Sequence, residues 1–243
     1  MSKIIKKMMS KNLITNKDLT LLRLNEIKND WEIENLFYQN VHPSRLVKLL
    51  NHFELLKKTK KCPGSIIECG VLKGNSLIRF AIFRDYLNMY NKKLYAFDAF
   101  GTFPKSYLRE KNSILRKEKN FATIHDKNTG KGFKAQIINK LLRQKKIKNY
   151  KLIKGDIFET LDKFIKKNKK LKISFLHLDM DVYLPTLYAL KKFYKYIAVG
   201  GIVVIDDFKT LPGATQATKE FLKLKKRKIQ VLNNLKSIYY FVK

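Results

Sequence analysis

The stretch that decides the fold is residues 173–208, ISFLHLDMDVYLPTLYALKKFYKYIAVGGIVVIDDF. It opens with a mostly apolar run at 173–178 and closes with a second apolar run at 202–205, after a turn at Gly200-Gly201. Between the two runs, apolar residues recur at helical spacing. This spacing predicts a helix whose buried face carries Leu187, Leu190, Phe193 and Ile197. The order strand, helix, strand predicts two parallel strands joined by a crossover helix.

The same alternation continues on both sides of this stretch. Short apolar runs predict three earlier strands, at 65–69, 93–97 and 150–154. Amphipathic or apolar segments predict helices at 76–87, 157–165 and 212–224. The runs at 229–232 and 238–242 predict a terminal hairpin. We therefore expect an α/β fold: a mostly parallel seven-stranded sheet, helices on both faces and a C-terminal antiparallel hairpin.

Two segments stand outside this alternation. Residues 1–60 are polar at first and then form an amphipathic helix from Pro43, so we expect an N-terminal helical cap ahead of a main domain at 61–243. Residues 99–149 form a long polar insertion with one helical stretch near 133–146. We expect this insertion to act as a lid over the carboxyl ends of the strands, where ligands bind in such sheets.

The charge of the chain admits two interpretations. The 243 residues carry 52 basic and 20 acidic side chains, a formal net charge of +32. Such a charge is typical of proteins that bind nucleic acid or an anionic surface. However, 44 of the basic residues are lysines spread along the chain, and only eight are arginines. We favour a compositional bias toward lysine, expect no nucleic-acid partner, and leave weak association with anionic membranes open.

Several protein classes are excluded by composition. Cys62 and Cys69 are the only cysteines, which is too few for a disulfide scaffold or a four-cysteine zinc site. The four histidines are scattered, which argues against a zinc protease. The sequence contains neither a signal peptide nor an apolar run long enough for a transmembrane helix. We therefore expect a cytoplasmic protein.

The first strand leads into a glycine-containing turn, Glu68-Cys-Gly-Val-Leu-Lys-Gly-Asn-Ser76. Gly70 and Gly74 permit a tight turn and a close approach of the backbone to a ligand. Ser76 lies near a helix N-terminus, where it either caps the helix or faces an anionic group. The pattern matches neither a dinucleotide-binding fingerprint nor a phosphate-binding P-loop.

The second and third strands also end in aspartates. Asp98 follows the second strand, where a carboxylate can accept hydrogen bonds from ribose hydroxyls. Asp156 follows the third strand, and with Glu159 it resembles a helix capping box. The same carboxylate could accept a hydrogen bond from an adenine amino group, so both roles of Asp156 stay open.

The most informative residues follow the fourth and fifth strands. Asp206 and Asp207 are adjacent at a buried strand end, where like charges raise each other's pKa. Asp179 comes from the neighbouring strand end and could supply a third oxygen ligand. A divalent cation would relieve the repulsion, and oxygen ligands suit Mg²⁺. Among the histidines, His177 is expected in the core or behind the site, and His125 could approach a substrate.

These motifs together resemble the macrocin O-methyltransferase (TylF) family of sugar methyltransferases, which is related to the catechol-type O-methyltransferases. The resemblance covers roughly residues 45–225. Its motifs, in order, are Glu68-Cys-Gly-Val, Asp98-Ala-Phe-Gly-Thr-Phe-Pro104, Leu178-Asp-Met-Asp-Val-Tyr183 with Pro185-Thr, and Gly200-Gly-Ile-Val-Val-Ile-Asp-Asp-Phe208.

The resemblance implies a Rossmann-like class I fold that uses S-adenosylmethionine and Mg²⁺ to methylate a hydroxyl of a sugar. It implies that the methionine end of the cofactor contacts Glu68, Gly70 and Ser76. It further implies that Asp98 holds the ribose and that Asp156 lies by the adenine. The implied metal ligands are Asp179, Asp206 and Asp207.

The resemblance also implies that Asp181 is the general base. The catechol-type enzymes have a catalytic lysine near this point, but Val182 lies there in this chain. The expected partner is a small-molecule or glycan acceptor, and a homo-oligomer is left open. Two other hypotheses remain: an RNA methyltransferase that uses the basic surface, and a non-catalytic binding protein on the same fold.

Overall fold

A computed structural model of the chain describes residues 29–108, 121–232 and 238–243. Seven strands form one sheet in the order β3-β2-β1-β4-β5-β7-β6. The first five strands of this order are parallel, and β7 pairs antiparallel with both β5 and β6. This arrangement confirms the predicted fold class. The strands are β1 (Ser65–Cys69), β2 (Leu94–Asp98), β3 (Tyr150–Lys154), β4 (Ile173–Leu178), β5 (Ile197–Ile205), β6 (Gln230–Val231) and β7 (Tyr239–Val242).

Eight α-helices lie in the described residues. Six of them overlap a predicted helical segment, and the local differences are given below. The helices are α1 (Asp30–Asn40), α2 (Pro43–Lys58), α3 (Asn75–Tyr86), α4 (Phe121–Thr129), α5 (Ala135–Gln144), α6 (Ile157–Lys167), α7 (Tyr183–Phe193) and α8 (Pro212–Lys225).

Both faces of the sheet are buried. Successive side chains of a strand point to opposite faces, so neighbouring residues of one strand pack into different apolar clusters. In β1, Ile67 packs into one apolar cluster with residues of α6, α7 and α8. Its neighbour Ile66 packs into the other cluster, with residues of α2, α3 and α5. Helices therefore cover both faces, as the nearly continuous apolar runs predict.

The structure corrects three local expectations. The helix α7 ends at Phe193, and Ile197 is the first residue of β5, where it pairs with Ile173. Gly200 and Gly201 therefore lie inside β5 and do not precede it, and a register irregularity between Ile173 and Phe175 accompanies them. The helical spacing predicted Ile197 on the buried face of α7. The strand pairing between Ile197 and Ile173 outweighs that spacing.

The other two corrections concern the turn after β1 and the insertion. Gly74, with φ 88°, occupies the N-cap position of α3, so Ser76 lies in the first turn and does not cap the helix. The described residues of the insertion 99–149 contain two α-helices, α4 and α5, where a single helical stretch near 133–146 was predicted. Residues 109–120 of the insertion lie outside the described residues.

The chain divides into two compact units, residues 1–46 and 47–243. The sheet and every candidate site residue belong to the second unit. In the first unit, the described helix α1 has no buried residue. The predicted cap at 1–60 and the predicted lid at 99–149 stay predictions, and residues 1–28 of the cap lie outside the described residues.

None of the helices in the described part of the chain combines the length and the apolar character that a membrane crossing requires.

Candidate active site

The carboxyl ends of β1 and β4 approach each other closely. Gly70 has φ +90°, and its N–H donates to the carbonyl of Phe97 at 2.9 Å. A Cβ atom on Gly70 would lie 1.7 Å from the carbonyl oxygen of Asp179, so no other residue fits without displacing that strand end. The glycine that the sequence singled out is therefore required first by packing between strand ends.

Three carboxylates meet at the ends of β4 and β5. One carboxylate oxygen each of Asp179, Asp181 and Asp207 lies within 4.8 Å of the others. Asp181 has φ 65°, and its N–H donates to Oδ2 of Asp207 at 3.2 Å. A left-handed backbone is uncommon for a residue other than glycine, and such positions cluster at functional sites. This acidic cluster can hold a divalent cation through oxygen ligands.

The electrostatics of the acidic cluster favour such a cation. Burial, followed by the charges of Asp206 and Asp207, raises the pKa of Asp179 well above its usual value. Burial and the charge of Asp181 raise the pKa of Asp207 in the same way. Because both carboxyls resist ionisation together, a bound cation would stabilise their charged forms.

Asp206 faces a different set of partners. Its Oδ2 accepts a hydrogen bond from Nζ of Lys48 at 2.5 Å. Its Oδ1 lies 3.5 Å from Nε2 of His177 and 3.9 Å from Nε2 of His52. Burial alone would raise the pKa of Asp206, but His177 and Lys48 outweigh it and lower that pKa. The structure thus brings Asp179 and Asp207 together with Asp181, and turns the third predicted ligand toward Lys48.

His177 joins Asp206 to Glu68 through the core. Glu68 and His177 are partners on adjacent strands, and Oε1 of Glu68 lies 3.1 Å from Nδ1 of His177. Burial would lower the pKa of His177, but the carboxylates of Asp206 and Glu68 raise it to about 10. Burial and the positive His177 lower the pKa of His52 well below its usual value. His177 is therefore a buried cation behind the site, in agreement with its predicted place in the core or behind the site.

Asp98 organises the turn after β1. Its Oδ2 accepts from the backbone N–H groups of Val71 at 2.6 Å and Leu72 at 3.1 Å. Its Oδ1 accepts from the N–H of Phe100 at 2.5 Å. A carboxylate offers about four acceptor positions, so one remains for a ligand hydroxyl. Asp98 therefore fixes the loop that would surround a cofactor.

The remaining predicted cofactor residues lie around the same edge of the sheet. Asp156 is the N-cap of α6, since its Oδ1 accepts from the N–H of Phe158 at 2.9 Å, and its Oδ2 accepts from the hydroxyl of Ser106. Capping thus accounts for one oxygen of Asp156, whereas its adenine role stays a prediction. Glu68 is fully buried, and its Oε2 has no hydrogen-bond partner among the described residues.

The insertion carries His125 to the acidic cluster. Its Nε2 lies 3.9 Å from Oδ2 of Asp181. The His125 ring packs against Phe103 and Phe121, with ring centroids 5.5 and 5.7 Å apart. Phe103, Phe121 and His125 therefore form an aromatic wall beside Asp181. This position is compatible with the expectation that His125 could approach a substrate.

Two residues of the site were missed by sequence reasoning. Lys48 and His52 both come from α2, one helical turn apart, and both reach the end of β5. The signal in the sequence was weak: a lysine in a chain with 44 lysines carries little information, and His52 interrupts an apolar face. Their role depends on the contact between α2 and β5, which no local pattern encodes.

Comparison with solved structures places the fold among methyltransferases. The structure of CalS11, a calicheamicin methyltransferase, superposes with a TM-score of 0.66 at 23% identity, and covers 93% of this chain and 90% of that one. A second structure of CalS11, titled as a TDP-rhamnose 3'-O-methyltransferase, gives 0.64 at 23% identity over 93% and 91%. The O-methyltransferase NovP gives 0.68 at 18% identity over 81% and 79%.

Sequence comparison gives the family directly. No curated protein matches the chain at a significant level of similarity. The sequence model of the macrocin O-methyltransferase (TylF) family, in contrast, matches residues 5–241. Because this match spans nearly the whole chain, the chain belongs to the macrocin O-methyltransferase family and is an O-methyltransferase.

Proposed function

We propose that the protein transfers the methyl group of S-adenosylmethionine to a hydroxyl of a sugar and that it needs Mg²⁺ for this reaction. The observation that carries the proposal is the cluster of Asp179, Asp181 and Asp207 at the carboxyl ends of β4 and β5. Membership of the macrocin O-methyltransferase family supports the same chemistry. The RNA-directed and non-catalytic hypotheses are the alternatives that the acceptor test below distinguishes from this proposal.

The donor set around β1 and β2 fits the cofactor. Oε2 of Glu68 is a buried acceptor that has no hydrogen-bond partner in the described part of the chain, and the amino group of a bound S-adenosylmethionine would satisfy it. Asp98 retains about one acceptor position for a ribose hydroxyl. We propose that Gly70 and Ser76 line the methionine end and that Asp156 lies near the adenine. The bound cofactor would supply an electrophilic methyl group on a sulfonium.

The donor set around β4 and β5 fits Mg²⁺. Asp179 and Asp207 would supply oxygen ligands, and burial together with the neighbouring carboxylates raises the pKa of both, which a bound cation would offset. Asp206 would join them if its carboxylate turned from Lys48 toward the cluster. The metal would stabilise negative charge that develops on the acceptor oxygen.

Asp181 is the proposed general base. Its carboxylate lies in the acidic cluster, where an acceptor hydroxyl bound near Asp179 and Asp207 would come within reach. Asp181 would accept the hydroxyl proton while the oxygen forms its bond to the methyl carbon and the bond from that carbon to the sulfonium sulfur breaks, which leaves S-adenosylhomocysteine. The aromatic wall of Phe103, Phe121 and His125 would pack against the apolar face of the sugar ring and exclude water.

The acceptor is proposed to be a small or polymeric glycan. CalS11 is described as a TDP-rhamnose 3'-O-methyltransferase, so nucleotide-linked sugars belong in the first panel of acceptors to be tested. Purified protein would be incubated with S-adenosylmethionine, Mg²⁺ and free sugars, glycosides, nucleotide-linked sugars or RNA. Mass spectrometry should detect a sugar product heavier by one methylene unit. A methylated RNA without any methylated sugar would overturn the proposal.

Cofactor binding is tested by titration calorimetry with S-adenosylmethionine. Wild type should bind, and Asp98→Ala should lose binding because both the ribose acceptor and the loop contacts disappear. Circular dichroism of Asp98→Ala checks that the variant is folded. Absence of binding to wild type, with and without Mg²⁺, would contradict the assignment of the donor.

A further inference from the structure

A lysine-lined cleft lies at the end of the sheet opposite the acidic cluster. The cleft has a volume of about 850 Å³, and nine of the 17 residues that line it are lysines. They come from three segments, residues 60–61, 92–93 and 166–172. This lysine cleft contains no acidic and no arginine side chain among its lining residues.

The position of the lysine cleft separates it from the methyl-transfer site. Its lining includes Ser65, Lys93 and Lys172, which begin or immediately precede β1, β2 and β4. The acidic cluster lies at the opposite, carboxyl ends of the same sheet. A strand of five residues spans about 16 Å. An occupant of the lysine cleft therefore could not contact the reacting atoms.

The general abundance of lysine does not account for this concentration. Lysine makes up 44 of 243 residues in the chain but more than half of the cleft lining. Among the described residues, no carboxylate lies within 4.0 Å of any of these nine ammonium groups. The repulsion among them is therefore not relieved by internal ion pairs, and an anion from outside the chain would relieve it.

Lys92 is a buried lining residue of the lysine cleft, held in place by hydrogen bonds. The residue is only 6% exposed, and its Nζ donates to the carbonyl of Cys62 and to Oγ of Ser174 at 3.3 Å. Burial lowers its pKa, and no carboxylate compensates for that loss among the described residues. A buried ammonium held only by neutral oxygens is costly, and it would be stabilised by an anion bound above it.

We propose that the lysine cleft binds an oligophosphate, that is, a short chain of adjacent phosphoryl groups. Lysine ammonium groups bind phosphate as point charges, whereas base and carboxylate recognition uses the fork of arginine. The cleft is concave and of the volume of a small-ligand site, which suits a compact anion better than a flat bilayer. Tyr95 is the only aromatic residue in the lining and is buried, so no stacking platform for RNA bases is present there.

The test uses tripolyphosphate as the probe, with EDTA present so that no metal bridges it to the acidic cluster. Titration calorimetry on the full chain should give saturable binding of one tripolyphosphate per chain. Orthophosphate should bind at least about tenfold more weakly, because it engages fewer ammonium groups. Raising the salt concentration should weaken tripolyphosphate binding.

A charge-matched pair of variants makes the test specific. Lys167, Lys169 and Lys170 are exposed and line the cleft, so their joint replacement by glutamine should weaken tripolyphosphate binding at least about fivefold. Joint replacement of Lys219, Lys223 and Lys225 by glutamine removes the same charge from exposed positions of α8, outside the cleft lining. This control should bind like wild type, and thermal unfolding checks that both variants are folded.

Three outcomes would overturn the proposal. The first is absence of saturable binding to wild type. The second is equal weakening in both variants, which would mean that the total charge alone attracts the anion. The third is binding of phosphatidylglycerol vesicles or of a short single-stranded RNA that depends on the cleft lysines, while tripolyphosphate fails to bind.

Discussion

At the residue scale, the adjacent aspartates at the end of β5 have different partners. Asp207 lies with Asp179 and Asp181, whereas Asp206 pairs with Lys48 and lies beside His177. The site therefore separates into an acidic half, which is the proposed metal site, and a half in which Asp206 is already paired with cations. This separation depends on two neighbouring side chains pointing to different sides of the strand end.

The first prediction concerns Asp181. Replacement by asparagine removes the proton acceptor but keeps the size of the side chain, so kcat should fall about 10²–10⁴-fold while S-adenosylmethionine still binds. Steady-state kinetics and calorimetry measure the two effects separately. Asp162→Asn is the matched control, because Asp162 pairs with Lys192 and Tyr188 away from the site. Turnover of Asp181→Asn at the wild-type rate would show that Asp181 is not the base.

The second prediction concerns Lys48. Replacement by methionine leaves the Asp206 carboxylate without its closest cation, so the free energy of unfolding should fall by about 3 kcal/mol in the absence of metal. Mg²⁺ should then stabilise the variant more than wild type, because it also relieves Asp206. Urea unfolding with EDTA and with Mg²⁺ measures both effects. This prediction assumes that the Lys48 ammonium neutralises Asp206 when no metal is bound. Equal stabilisation of the variant and of wild type by Mg²⁺ would contradict that assumption.

At the scale of elements, the site is assembled by the ends of parallel strands. The turn after β1, the loop after β2 and the ends of β4 and β5 meet because parallel strands expose their carboxyl ends at one edge. Two of these connections involve the backbone: Gly70 lies against the backbone of Asp179, and the carboxylate of Asp98 accepts from the N–H groups of Val71 and Leu72. A change at either connection should therefore affect both stability and binding.

The third prediction tests the contact between β1 and β4. Gly70→Ala adds a Cβ 1.7 Å from the carbonyl oxygen of Asp179 at a φ of +90°. The free energy of unfolding should fall by roughly 3 kcal/mol, from strain and steric overlap together. Gly101→Ala is the control, since a Cβ there has no neighbour within 4 Å, and its effect should stay within about 0.5 kcal/mol. Chemical denaturation would contradict the argument if the two variants were equally stable.

The sequence predicted most elements because their signals are local. The apolar runs of β1 to β5 and the turn residues between them are visible without an alignment, and the predicted bounds of β1 to β4 agree closely with the structure, whereas β5 begins five residues earlier than predicted. Ile197 was placed wrongly because its pairing with Ile173 on the neighbouring strand β4, which lies 24 residues earlier in the chain, outweighs helical spacing. Lys48 and His52 were missed for the same physical reason, since the packing of α2 against the sheet brings them to Asp206.

At the scale of the whole molecule, the net charge of +32 dominates the electrostatics. The acidic cluster stands out against this background, as does the lysine cleft at the opposite end of the sheet. The two sites would attract ions of opposite sign from the same solution. An enzyme of this charge also repels itself, which weakens the compact state.

The fourth prediction follows from that repulsion. Added sodium chloride should raise the melting temperature at neutral pH, since screening reduces repulsion among exposed lysines. A gain of about 1 kcal/mol corresponds to about 2–4 °C for a domain of this size. Scanning calorimetry at increasing sodium chloride concentration measures the melting temperature. EDTA is added so that metal binding does not contribute to the change. A melting temperature that falls with salt would mean that ion pairs outweigh the repulsion.

The central claim is that methyl transfer requires a divalent cation held by the acidic cluster. The most direct measurement is the rate of S-adenosylhomocysteine formation with a sugar acceptor after EDTA treatment and stepwise return of Mg²⁺. Wild type should lose activity with EDTA and regain it with Mg²⁺, whereas Asp207→Asn should need a far higher Mg²⁺ concentration. Full wild-type activity in EDTA, or an unchanged Mg²⁺ requirement in Asp207→Asn, would contradict the claim.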